Sequence, residues 1–502
     1  MRIGGLASGM DIDSLVSELM KAERIPLDKL NQKKQTLEWQ RDEYRDMNKL
    51  LDEFDRFIMD NMTLKSSVLK KKVTSTNTAS VTATANSSAG SMNASITVNS
   101  TAKSATWISG KELTYTPPTD DMEIELEVTN GDGALATIKN SDGTTSNVIK
   151  ITIKAGATID EVLTQLSNKK ELGISTFSES GQVAITKNDT GALSAIKLVD
   201  ADAQNLFREL GFELDGSNNL TFDTTLGAKQ GENANFTING LNVTSKASNT
   251  FTINNVNYTL HSPGTSNVSV ASDSDSMFNN ITTFVNKYNE LLEKINGKIS
   301  EERYRDYLPL TDEEKEAMSE KQIEQWEERA KSGLIKNDSL LSGALSKLRT
   351  DFYNPVTSTT INPSYSQITH IGIKTSSNYL DKGKLLIDET KLREAIEKDP
   401  EAVFELFNSS GSTTSEKGLT KRLRETISTT INNIELKAGK ASFTNQQYTI
   451  GRNLTQVYSQ IDRFEDRLLL LEDRYWSQFT AMEKAIQQSN SQMSYLMQQF
   501  SM

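Results

Sequence analysis

With 502 residues, 55 basic and 67 acidic side chains and a net charge of −12, the chain is long enough for about three domains and too acidic for general nucleic-acid binding. Zero cysteines exclude disulfide frameworks, thiolate metal sites and cysteine nucleophiles, and two isolated histidines, His261 and His370, leave no pair for a histidine metal site or relay. Hydrophobic residues make up only 36%, and no apolar run approaches the roughly 18 residues of a membrane span, so no membrane insertion is expected.

The first residues, Met1 to Ala7, lack an apolar stretch, so no cleavable signal peptide is expected. Asp11 is a candidate N-cap for a helix with Ile12, Leu15, Val16 and Leu19 on one face. Pro26 stops that helix or sits in the first turn of the next. Leu30, Leu37, Tyr44, Leu51 and Ile58 then recur every seven residues, joined by Met47 and Phe54, and predict a second long helix over 27–64. Lys70-Lys71-Lys72 reads as the cationic close of that helix.

Composition shifts at Val73. Residues 73–110 are more than half Ser, Thr and Asn, which suits strands and turns. Strand alternation shows in Ile96-Thr97-Val98, Ile124 to Val128, Ile151-Thr152-Ile153 and Gln182 to Thr186, with a short amphipathic helix through Ile159, Val162, Leu163 and Leu166. A near-duplication follows: Phe236-Thr237-Ile238-Asn239-Gly240-Leu241, then Phe251-Thr252-Ile253-Asn254-Asn255-Val256. Each copy carries the turn residues of a tight type I′ hairpin, which suggests a small β-domain. Helix returns near Ser276, with Met277, Ile281, Phe284, Val285 and Tyr288 on one face. The charge-dense run 301–329 reads as a solvated helix face. Asn337 or Asp338 caps a helix over 337–352. His370 lies in a predicted strand from Ile368 to Ile373. Lys384 to Asp388 reads as a strand, and helices start at Asp388 and at Asp399-Pro400.

At the C-terminus Leu454, Val457, Ile461, Phe464, Leu468, Leu471 and Tyr475 keep the alternating three-four spacing of a coiled-coil seam. Phe479, Met482 and Ile486 follow after a stutter, and Met493, Leu496 and Phe500 continue the new register. One helix over 454–500 would be about 70 Å long and needs a partner helix to cover its stripe. The two terminal seams can close on each other as an intramolecular hairpin, which stays one of two options for their inner halves. The outer segments, 1–25 and 485–502, are expected to pack between chains.

The pattern predicts an α+β multidomain fold: long helical coiled-coil N- and C-termini with a helical bundle stalk and inserted antiparallel β-rich domains. The expected divisions are 1–45 with 450–502 as a terminal coiled-coil leg, 46–72 with 276–449 as a helical stalk, 73–105 with 226–275 as a β-rich domain, and 106–225 as an inserted β-rich head. Chemistry-bearing motifs are missing. No phosphate loop, nucleophile elbow or zinc motif occurs. Gly131-Asp132-Gly133 lies among turn residues with no helix signal after it. Asp120-Asp121 and Asp273/Asp275 lack a calcium-loop layout and read as turns or caps. No catalytic residue, cofactor or metal is expected.

The opening Ile3-Gly4-Gly5-Leu6-Ala7-Ser8-Gly9-Met10-Asp11-Ile12-Asp13-Ser14-Leu15-Val16, with Pro26-Leu27-Asp28-Lys29-Leu30 after it, resembles the bacterial flagellar filament cap family, the hook-associated protein 2 family. Lys331-Ser332-Gly333-Leu334 with Asn337 to Leu341, Gly383 to Asp388, and Pro400 to Phe407 extend the resemblance. Residues 151–199 resemble an insertion motif of flagellins and hook proteins. The resemblance implies a non-enzymatic protein exported through the flagellar type III apparatus with a cytoplasmic chaperone. It implies assembly at the extracellular filament tip as a ring-shaped homo-oligomer, a pentamer being the expectation, against flagellin and hook-filament junction proteins. The residues expected at the oligomer or flagellin interface are Ile12, Leu15, Leu19, Leu30, Leu37, Ile461, Phe464, Leu468, Leu471, Tyr475, Phe479, Met482 and Ile486. A second reading is an adhesin or ligand-binding module built on the β-domains.

Overall fold

The computed structural model describes residues 9–110, 113–139 and 143–500. The fold is α+β and multidomain, and the chain divides into two units, Met1–Val68 with Ser274–Met502, and Leu69–Asp273.

The first unit is helical. Its N-terminal helix runs unbroken over Ile12–Met62, and Asp11 caps it by accepting the Ser14 N–H at 3.0 Å. Pro26 therefore neither stops nor starts a helix. It sits inside one, and the two predicted helices are a single element. A mid-helix proline costs about 3 kcal/mol. The helix continues because apolar residues on both sides of Pro26, Met20 and Leu27, belong to the same packed cluster. The inner heptad positions Tyr44, Met47, Leu51, Phe54 and Ile58 are buried. They pack with the helices Ser274–Ser300 and Leu419–Ala438, and aromatic rings knit this core. Phe54 stacks on Phe284 at 5.8 Å, Phe284 meets Phe407 edge-on at 5.7 Å, and Tyr288 meets Phe352 edge-on at 4.7 Å.

One buried cation shapes this core. Arg422 is 2% exposed, and its guanidinium donates to the carbonyls of Thr414, Asn354, Pro355 and Ser415 at 2.6–2.9 Å. Five planar donors suit this task, since one guanidinium can serve several carbonyls at once. The charge-dense stretch holds two short helices, Asp312–Glu316 and Glu320–Lys331. Asp338 caps Ser339–Tyr353, and helices start after Asp388 and Asp399 as expected. His370 is not in a strand. It is exposed on a short 3₁₀ turn, Ile368–Ile371, because Gly372 (φ +82°) ends the turn before the strand Ile373–Thr375 begins.

The second unit is β-rich and antiparallel, with two apolar cores. It begins earlier than expected: Lys71 and Lys72 open the strand Lys71–Ser75 rather than close a helix. They pair with Ser272 and Ala271, so ladder hydrogen bonding outweighs any helix-end role. Around the first core a five-stranded sheet runs in the order Lys71–Ser75, Gly264–Ser272, Met92–Ser100, Ala234–Ile238, Leu241–Lys246. A three-stranded sheet, Thr250–Ile253, Val256–Leu260 and Val81–Ala85, shares that core. The duplicated segments form one hairpin in each sheet. Their corresponding residues Phe236 and Phe251 stack on each other at 4.7 Å, so the repeat becomes the two halves of a small sandwich. Asn239-Gly240 and Asn254-Asn255 all have positive φ, as type I′ turns require.

The second core holds Trp107, Ile124, Leu126, Ile149, Ile185 and Phe207, between two three-stranded sheets and the helices Ile159–Asn168 and Ala201–Glu209. Trp107 is fully buried and donates its indole N–H to the Leu220 carbonyl at 3.2 Å.

Candidate functional site

The N-terminal helix and the C-terminal helix, Thr449–Phe500, pack along each other. The heptad positions are the covered ones. Leu454, Val457, Ile461 and Leu468 are buried, while Phe464, Leu471, Tyr475, Phe479, Met482 and Ile486 are half-buried. Leu30 and Leu37 are half-buried on the opposing helix. Farther out, Ile12, Val16 and Met20 form a buried cluster with Leu468, flanked by Leu471, Tyr475, Trp476 and Phe479. The expectation that 1–25 finds its partner in another chain therefore does not describe Ile12, Val16 and Met20. The hairpin reaches farther than the seven-residue count suggested, because both helices exceed fifty residues. Residues 1–8 of that segment lie outside the described residues.

The predicted face of the first turns is also rotated. The buried set is Ile12, Val16 and Met20, at spacing four, and it turns Leu15 (41% exposed) and Leu19 (39%) outward. Four-residue spacing keeps one row of a straight helix against its partner. Beyond Ile486 the described residues of the C-terminal helix are exposed. Met493, Leu496 and Phe500 are exposed, Phe500 at 88%. Residues 501–502 lie outside the described residues.

Polar bonds tie the two helices at intervals. Tyr458 donates to Glu38 at 2.8 Å and Tyr475 to Glu23 at 3.2 Å, and the Lys34 ammonium lies 5.4 Å over the Tyr458 ring. Between these bonds the seam opens as a groove of about 640 Å³. Pro26, Leu30 and Phe464 give it apolar lining, and Lys29, Lys33, Arg463 and Arg467 make it cationic.

The pair is anchored where it enters the bundle. Tyr44 donates to Asp338 at 2.7 Å and Lys437 donates to the same oxygen at 2.8 Å, with its ammonium 4.3 Å over the Tyr44 ring. Burial alone would raise the Asp338 pKa. The bonds from Lys437, Tyr44 and the Leu341 N–H outweigh it and hold the carboxyl below its ordinary value. Burial, and then the Asp338 carboxylate, push the Tyr44 hydroxyl far upward. Arg45 donates to the carbonyls of Ala438 and Gly439 at 3.1 and 3.2 Å. The sequence offered Asn337 or Asp338 as the helix cap, and the structure selects Asp338; its second duty is not legible there, since Tyr44 and Lys437 are far from it in the chain.

Among the described residues no cluster of acidic or histidine side chains could hold a metal ion, and no helix is long and apolar enough to cross a membrane.

Residues 8–105 match the family model for the flagellar hook-associated protein 2 N-terminus, and residues 231–491 match that for its C-terminus. The chain is 34% identical to flagellar hook-associated protein 2 of Halalkalibacterium halodurans, with all of both chains covered.

The chain belongs to the flagellar hook-associated protein 2 family.

The same family protein of Escherichia coli O157:H7 is 24% identical over 99% of this chain and 97% of its own. The solved D1, D2 and D3 domains of the flagellar cap protein from Escherichia coli share the fold. That structure has a TM-score of 0.55 and 20% identity, over 82% of this chain and 99% of that one. The two family models leave 106–230 between them, the stretch that builds the Trp107 core, while the full-length relative spans it.

Proposed function

We propose that this chain caps the distal tip of the bacterial flagellar filament as a ring-shaped homo-oligomer, retains exported flagellin there and promotes its ordered polymerisation. It catalyses no reaction in this reading. The carrying observation is the terminal helix pair: a hairpin closed on itself as far as Ile486, whose last turns present Met493, Leu496 and Phe500 uncovered. An uncovered apolar stripe on a rigid helix is suited to a partner helix, in a neighbouring subunit or in flagellin. In this reading the exposed Leu15 and Leu19 and the cationic groove at Phe464 are further contact patches on the same helix pair. Small mixed patches fit contacts that must break and re-form as subunits are added.

In this reading residues 1–45 with 450–502 are the legs, and 46–72 with 276–449 the stalk. Residues 73–105 with 226–275 and 106–225 are two β-domains, a division supported by the two separate apolar cores. The remaining partners are the hook-filament junction proteins, an export chaperone and the type III export apparatus, which the chain would use without a cleavable signal.

The test is a strain lacking the gene. Abundant monomeric flagellin in the medium with bare hooks is the expected result, and added purified protein should restore filaments. Normal filaments would overturn the capping role and leave a tip adhesin as the reading to pursue.

A further inference from the structure

The strand Gln182–Thr190 alternates inward and outward, and its inward positions read Val183, Ile185, Lys187. A lysine at a core-facing position is costly, because an ammonium taken out of water loses its hydration. Lys187 is nevertheless 2% exposed. Its Nζ donates to Asn130 Oδ1 at 3.0 Å, to Asp189 Oδ1 at 2.9 Å and to the Leu172 carbonyl at 3.1 Å. The backbone makes room for this group. A Cβ on Gly173 would lie 3.2 Å from the nitrogen. A Cβ on Gly131 would lie 1.9 Å from the Thr190 carbonyl oxygen, so only glycine lets the turn after Asn130 press onto the strand end. The second oxygen of Asp189 accepts the Gly131 N–H, which holds the carboxylate beside the Asn130 side chain.

An amine, a primary carboxamide and a carboxylate thus meet at one buried nitrogen, Lys187 Nζ, with the Asp189 side chain 38% exposed at the edge. These are the parts of an amide exchange, and we propose that Lys187 and Asn130 become joined by an intramolecular isopeptide bond, with Asp189 relaying the protons. Asp189 takes a proton from the ammonium and frees the lone pair of Nζ. Cγ of Asn130 lies one bond from the oxygen that Nζ already touches. A small shift of the long, flexible Lys187 side chain brings Nζ and Cγ to the roughly 3–3.5 Å of a reacting pair. The Nζ–Cγ bond forms and the Cγ–Nδ2 bond breaks. Two protons of the original ammonium pass through Asp189 to the leaving nitrogen, which departs as ammonium, and Asp189 ends as a carboxylate. Charge and atoms balance with no oxidant or cofactor. The adjoining cleft, about 740 Å³ and lined by Asn130, Lys187, Asp189 and Asn249 among others, is the exit. The competing attack of the Gly131 nitrogen on Asn130 is disfavoured, because Asp189 holds that N–H. The product ties together residues 57 apart in a chain that has no cysteine.

Intact-mass measurement of the purified full-length chain tests this. The expected mass is one ammonia below that of the sequence. A tryptic digest should contain a branched peptide joining the segments of Asn130 and Lys187, with no cleavage after Lys187. Lys187→Arg keeps the charge but cannot form the bond, so its mass should match its sequence. Asp189→Asn should likewise stay unlinked, and both should unfold at lower temperature than the parent chain. Cleavage after Lys187 with an unshifted mass would make the trio a plain buried ion pair and overturn the proposal. So would an ammonia loss that persists in Lys187→Arg, which would place it at a succinimide. The peptide map of the unmutated chain decides the matter even if a variant fails to fold.

Discussion

Asp338 does three things with one carboxylate. It caps a helix through the Leu341 N–H at 2.9 Å, accepts the Tyr44 hydroxyl and pairs with Lys437. Its folded-state pKa is depressed, so its contribution is fully present above the ordinary carboxylate value and is lost as pH falls through the lowered one. Asp338→Asn keeps a competent cap but removes the charge. The expected cost is about 2 kcal/mol at neutral pH. The difference from the parent chain should shrink steadily below about pH 4. Urea midpoints measured across pH check both, and a pH-independent difference would remove the electrostatic account. Sequence alone showed a cap at Asn337 or Asp338 because capping is local. It could not show Tyr44 or Lys437, which chain folding brings from 294 and 99 residues away.

At the scale of elements, the heptad spacing carried most of the information. It placed Leu454, Val457, Ile461 and Leu468 on the covered side, and they are covered, because a 3.5-residue repeat can serve only one contact line on a helix. The proline rule failed at Pro26, where tertiary packing overrides a local penalty, and of the face expected in the first turns Ile12 and Val16 are buried, with Met20, while Leu15 and Leu19 are not. Leu468 is the central residue of the outer cluster. Leu468→Asp with Leu471→Asp should detach the first turns of the N-terminal helix and cost about 3 kcal/mol or more, as buried charge does. Hydrogen exchange should quicken over 12–25 and 465–480 while the β-rich unit keeps its unfolding transition. Loss of that transition would mean that the two units do not fold separately.

For the whole molecule, the exposed apolar residues at the end of the C-terminal helix, Met493, Leu496 and Phe500, carry the functional prediction. Met493→Ser, Leu496→Ser and Phe500→Ser together should leave thermal unfolding of the isolated protein unchanged, because these side chains are exposed already. They should abolish self-association in light scattering and restoration of filaments on addition to a cap-deficient strain. Full restoration would move the functional surface to Leu15, Leu19 and the Phe464 groove.

What the sequence determined by itself was whatever depends on near neighbours: a helix cap at Asp11 and one at Asn337 or Asp338, helix starts at Asp388 and Asp399, the type I′ turns at Asn239 and Asn254, the strand alternation, the heptad rows and the family resemblance. Tertiary structure decided the rest. It joined two predicted helices through Pro26, stacked Phe236 on Phe251 to make a repeat into a sandwich, and turned Lys71 and Lys72 into the start of a strand. It also set Lys187 against Asn130 and Asp189. Each of these outcomes rests on contacts or paired backbone between separate elements, and such terms exceed local propensities of about 1 kcal/mol, or about 3 kcal/mol at Pro26, only once the chain has folded.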